Sequence, residues 1–136
     1  MRSSMTTTPA YQSYGQDLRD RAFEFACQIV FYCEELLDRG GAGRVLAPQL
    51  LRCGTSIGAN LEEARGGESR PDFISKCSIS LKEARESLFR LRVAARCGLG
   101  SSQKVALLVK EAGELAAILG AIVRNARRNA RRRIPL

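Results

Sequence analysis

The sequence predicts an all-α fold, an antiparallel up-down-up-down four-helix bundle. Four segments repeat apolar residues every three or four positions, glycine-rich punctuation separates them, and no useful length alternates with period two. An α-helix turns once in about 3.6 residues, so this spacing gathers the apolar side chains into one stripe per helix. Short connections then make consecutive helices antiparallel neighbours.

The first stripe is Leu18, Ala22, Phe25, Ile29, Tyr32 and Leu36, and Arg39-Gly40-Gly41-Ala42-Gly43 ends it. The second runs Leu46, Leu50, Cys53, Ile57, Asn60 and Ala64, with Asn60 the polar intruder, and closes at Gly66-Gly67. The third starts at Ser69-Arg70-Pro71-Asp72. There Ser69 suits the N-cap, Pro71 the first turn, and Asp72 the positive end of the helix dipole. Its stripe is Ile74, Cys77, Leu81, Ala84, Leu88, Leu91 and Ala95, and Cys97-Gly98-Leu99-Gly100 breaks it. The fourth runs Val105, Leu108, Ala112, Leu115, Leu119, Ile122 and Ala126. The expected layout is a flexible tail over 1–15, the bundle over 16–128 and a basic tail over 129–136. Phe23, Phe31, Phe89, Val93, Leu107, Ala116 and Val123 widen the stripes beyond what one bundle buries, so a homo-oligomer is expected.

Composition narrows the function. At 136 residues, 45% hydrophobic and 26% charged, the chain is one globular domain. It has no apolar run near the roughly 20 residues that cross a bilayer, and its first residues make a poor signal peptide. A cytoplasmic protein without a membrane partner is expected. Histidine is absent, which removes the commonest general base and metal ligand. Di-iron bundles need inward Glu-x-x-His pairs, so neither metal nor other cofactor is expected. Five cysteines form no C-x-x-C pair and read as small buried side chains in a reducing compartment. Gly66-Gly67 lacks the phosphate-loop pattern. Glu62 and Glu63 point about 100° apart on a helix, so they cannot share a catalytic site, and local basic partners are expected, such as Lys76 on the facing helix or a neighbouring subunit. The chain reads as a non-enzyme.

Two sets of residues remain. Folding the second helix onto the third brings Asn60 near Cys77 and Ser80, Ser56 near Ser80, and Arg52 near Glu83 and Glu86. Arg52, Ser56, Asn60, Glu63, Lys82 and Glu83 are the expected structural polar layer, with Asn60 buried and fixing register, a direct ligand contact by Asn60 being the alternative. The second set is Arg124, Arg127, Arg128, Arg131, Arg132 and Arg133, six arginines without an intervening acid. Without them the other 16 basic residues nearly balance 14 acidic ones. The first five recur at i, i+3, i+4, i+7 and i+8, one face of a continued helix. Arginine's planar fork of donors suits phosphate, so nucleic acid, with RNA favoured, is the leading partner. An acidic protein surface, an anionic membrane and a plain solvated tail remain open alternatives. The second reading overall is an assembly or adaptor protein whose basic C-terminus engages an acidic protein.

The run NLEEARGGESRPDFISKCSISLKEARESLFRLRV resembles the bacterial 23S rRNA intervening-sequence protein family. The likeness rests on Ser56-Ile57, Asn60-Leu61-x-Glu63, Ser69-x-x-Asp72-Phe73-Ile74 and Leu81-Lys82-Glu83-Ala84-Arg85-Glu86, with Asp17-Leu18 and Arg52 in support, and spans roughly 17–125. It implies a four-helix protomer in a barrel-like homopentamer. The chain is also similar to the accessory proteins of diversity-generating retroelements, which implies basic pentamers that bind nucleic acid and a reverse transcriptase. The arginine-rich end lies outside the family block.

Overall fold

The structure is a computed structural model that describes residues 10–66 and 69–132. Four helices follow in order: α1 (Ala10–Arg39), α2 (Ala42–Arg65), α3 (Arg70–Arg96) and α4 (Ser102–Arg132). No strand occurs among the described residues. The two tails read from the sequence are shorter on the described residues. α1 already runs from Ala10, and α4 carries its helix through Arg132. Residues 1–9 and 133–136, Arg133 among them, lie outside the described residues.

Side-chain contacts fix the directions. Along α1 and α2, Ala22 stands by Gly58, Ile29 by Gly54 and Leu36 by Gly43. Between α2 and α3, Lys76 reaches Glu63, Ser80 reaches Ile57 and Arg52 reaches Glu83. On α1 and α4, Arg21 holds Glu111 at 2.6 Å and Glu114 at 2.7 Å. The rising numbers on one helix meet falling numbers on the next, so each pair is antiparallel. α1 meets α4 more sparingly than the other neighbours meet.

The α1 stripe is buried as read, with Cys33 added. The other seams differ by a residue or so. α2 buries Ala47 and Leu61 where Leu46 and Asn60 were expected. α3 buries Ser80, Ser87 and Ala94, with Ala95 exposed. α4 buries Gly120 and Val123 in place of Ile122 and Ala126. A 3.5-residue repeat drifts about 20° per heptad against a straight helix, so a strict three-four stripe leaves the seam toward its ends. Small residues complete the shift, because glycine and alanine on α2 let α1 approach closely. Of the five cysteines, Cys33, Cys53 and Cys77 are buried, Cys27 is half-buried and Cys97 is exposed at the end of α3, so the expectation of burial fails for Cys97.

The α3–α4 connection is pinned to α1. Tyr32 donates its hydroxyl hydrogen to the Leu99 carbonyl at 2.6 Å. Gly100 has φ of 70° and a side chain there would meet the Tyr32 ring at 2.8 Å, so only glycine fits both demands. Burial pushes the Tyr32 phenol up to about 12, the Cys33 thiol up to about 12, and the Cys53 and Cys77 thiols upward too. Each group keeps its proton in the folded chain at a pH where the unfolded chain has lost it. Their contribution is therefore fully present below about pH 8.5, where unfolded thiols begin to ionise, and is lost as pH rises toward 12. The urea midpoint should fall from pH 8 to pH 10.5, and less steeply in a Cys33→Ala, Tyr32→Phe variant.

Candidate nucleic-acid interface

α3 starts cleanly because Ser69 is extended (φ −148°) and accepts from the Asp72 backbone N–H at 3.2 Å, with Pro71 in the first turn. This start lies beside the end of α4. A groove between them is lined by Arg70, Pro71, Ile74, Ser78, Lys82 and Arg127. It continues along α3 past Leu81, Arg85 and Val123. Arg127 donates to the Ser78 hydroxyl oxygen at 3.0 Å, which anchors one guanidinium over the groove.

The five described arginines of the predicted set, Arg124, Arg127, Arg128, Arg131 and Arg132, lie on the helical end of α4 and are all exposed. α3 adds Arg70, Lys82 and Arg85 to them. None of these eight cations pairs with an acid among the described residues. The sequence missed the α3 contribution because Arg70, Lys82 and Arg85 are scattered among acids along the chain. Only the α3–α4 pairing, which turns one flank of α3 toward α4, separates them from Asp72, Glu83 and Glu86. Crowded like charges repel, and a polyanion relieves that repulsion while releasing its own counterions.

The expected polar layer divides. Arg52 on α2 meets Glu83 at 3.3 Å and Glu86 at 2.5 Å, and Glu86 also takes Arg90 at 3.0 Å. These carboxylates, Glu86 first, hold the Arg52 guanidinium more firmly protonated. Glu63 takes Lys76 at 2.7 Å, and that hydrogen bond raises the Lys76 ammonium likewise. Ser56 turns back on its own helix, donating to the Arg52 carbonyl at 2.6 Å. Asn60 is half-buried, and its amide donates to the Ser56 carbonyl at 2.8 Å, so it bonds within α2 and makes no buried bond across to α3. Leu61 takes the seam position, which turns Asn60 toward the rim of the interface. The buried cross-helix bond belongs to Ser80, whose hydroxyl donates to the Ile57 carbonyl at 2.9 Å. Lys82 is on the opposite flank from this layer, in the cationic groove. Ser80 was legible as a serine inside an apolar run, though only as a neighbour of Asn60 and Ser56.

Among the described residues, no three His, Cys, Asp or Glu side chains gather to hold a metal ion, and no helix is long and apolar enough to cross a membrane. Residues 16–121 match the family model described as 23S rRNA-intervening sequence protein. The match stops short of Arg124, so the α4 arginines lie beyond it. The structure is similar to the crystal structure of a protein with unknown function from the S23 ribosomal protein family of Bacteroides thetaiotaomicron. The two are 33% identical with a TM-score of 0.71, over 78% of this chain and 97% of the other. No curated protein matches the chain.

Proposed function

The chain belongs to the 23S rRNA-intervening sequence protein family, and from that premise we propose that it is a non-enzymatic, homo-oligomeric RNA-binding protein of the cytoplasm. The observation that carries the reading is the cluster of eight cations on α3 and α4, none with an acidic partner among the described residues. The family resemblance supports a pentameric assembly and a role beside rRNA or a reverse transcriptase. Arg124, Arg127, Arg128, Arg131 and Arg132 recur along one helical face, which suits successive backbone phosphates and carries no base code of its own. No aromatic side chain lines the groove that holds Arg127, and one half-exposed ring, Phe73, lies with Arg70 beside the end of α4, so backbone contact outweighs stacking on unpaired bases.

The test is binding of mixed RNA across a salt series. Each phosphate neutralised contributes about −0.7 to −0.9 to the slope of log affinity on log salt. Eight such contacts give a slope of about −5.6 to −7.2, hence a loss of roughly 2,000- to 20,000-fold between 50 and 200 mM salt. Absence of binding at 50 mM, or an affinity that ignores salt, would remove RNA as the partner.

A further inference from the structure

The α3–α4 seam has a second hollow, of about 650 Å³, on the flank away from the Arg127 groove. Phe73, Ile122, Asn125 and Asn129 line it, with Ser69 and Arg70 at the start of α3. On α4, Arg127 follows the buried Val123 by four residues and Ile122 precedes it by one, so the two hollows lie on opposite sides of the core line. Phe73 is 38% exposed, and both asparagines are exposed. Asn125 and Asn129 stand one turn apart on α4, and neither carboxamide is hydrogen-bonded among the described residues. Local structure accounts for neither the amides nor the ring. Asparagine is a poor helix former whose usual place is a cap, yet both sit inside α4. Phe73, the fourth residue of α3, would be a hydrophobic staple only against an apolar residue just before the Ser69 cap, and that residue is Glu68.

Resting on the RNA reading above, we propose that this hollow takes one unpaired adenine base of the strand whose phosphates the neighbouring cations hold. A carboxamide places an N–H donor beside a carbonyl acceptor, the pattern that matches the N6 and N7 edge of adenine. An aromatic ring offers a stacking face to a base splayed out of a duplex or loop. The charge around the hollow suits a nucleotide. Arg70 lines both this hollow and the groove with Arg127, so the two join across the first turn of α3. Arg128 and Arg132 follow Asn125 and Asn129 by three residues, which makes them neighbours on the helix surface. Among the described residues no acid lines the hollow. One ribose joins the base and phosphate of a nucleotide, so a base seated here leaves its phosphate at a rim that already carries these cations. The arginine face supplies affinity without a base code, and the hollow adds the code at one position.

Single-stranded oligoadenylate and oligouridylate dodecamers test the pocket, because they carry equal charge and differ only in the base. Wild type should bind oligoadenylate roughly 5- to 150-fold more tightly, the discrimination that one bidentate contact confers. Asn125→Ala with Asn129→Ala should remove most of that preference and leave oligouridylate affinity, the salt slope and helical circular dichroism unchanged. Phe73→Leu should weaken both oligomers by roughly 5-fold or more, since stacking is indifferent to base identity, and should keep the wild-type salt slope. Equal wild-type affinity for the two oligomers, an undiminished preference in the asparagine variant, or wild-type affinity in Phe73→Leu overturns the base pocket. Failure of wild type to bind either oligomer at 50 mM salt overturns instead the RNA reading on which the pocket rests.

Discussion

Gly54→Leu is expected to abolish cooperative folding, and Gly54→Ala to lower stability by about 1–2 kcal/mol. A Cβ at Gly54 would stand 2.9 Å from both Cγ1 and Cγ2 of Ile29 and 3.3 Å from its Cβ. Ile29 is fully buried, and a β-branched side chain in a helix has essentially one χ1 rotamer, so it cannot swing aside. The backbones of α1 and α2 must separate instead. Alanine gains about 1 kcal/mol over glycine in a helix interior, which offsets part of the overpacking penalty of about 1–3 kcal/mol. The clash prevails because the atoms met are the branch point of Ile29 rather than a flexible end. Leucine has no greater helix gain and adds several more carbons to a filled seam. Its penalty then approaches the total stability of about 5–15 kcal/mol typical of a domain. Gly113→Ala is the control, since nothing lies within 4 Å of its Cβ position, and it should raise stability by up to about 1 kcal/mol. Urea midpoints of the three variants decide the matter. A Gly54→Ala midpoint at or above wild type would show that the seam yields freely.

That seam also shows what the sequence could and could not convey. Helix number, order and punctuation were legible because a 3.6-residue period and the Gly40-Gly41 and Gly98-Leu99-Gly100 breaks are local properties of the chain. Ser69 and Asp72 announced the start of α3 for the same reason. Register was less legible, because Leu46 against Ala47 and Asn60 against Leu61 are decided by how closely α1 approaches. That distance is set by Gly54 and Gly58 meeting Ile29 and Ala22, residues remote in the chain. Hence Asn60 read as a buried register residue, yet it stands at the rim with its amide returned to Ser56. The Arg52–Glu83–Glu86 arrangement follows from simple antiparallel reflection, which needs only the turn position. The cationic site was half legible. A contiguous run of arginines on α4 is visible in one dimension, whereas Lys82 becomes its neighbour only when one flank of α3 is turned to α4.

The second large effect separates a two-helix cationic surface from a basic tail. Replacing Arg124, Arg127, Arg128, Arg131 and Arg132 by Gln should flatten the salt dependence of RNA binding by about 3.5 to 4.5 in log–log slope if each meets a phosphate. At 50 mM salt most of the affinity should go with it, since phosphate contacts supply nearly all of sequence-independent binding. A solvated tail acting alone predicts the same loss, so this variant cannot distinguish the two. Replacing Arg70, Lys82 and Arg85 by Gln can. These three are far from the C-terminus in sequence but share the groove with Arg127. If the surface acts as one, their loss should lower the slope by a further 2 to 3, or about 0.7 to 0.9 for each phosphate released. Lys76→Gln is the matched control, because Glu63 already holds that ammonium on the α2 flank, and it should leave the slope unchanged. All four side chains are at least partly solvent-facing, so helicity should survive each change. Binding by the α3 variant with the wild-type slope would confine the interface to α4, and the groove would then be only the place where α4 rests.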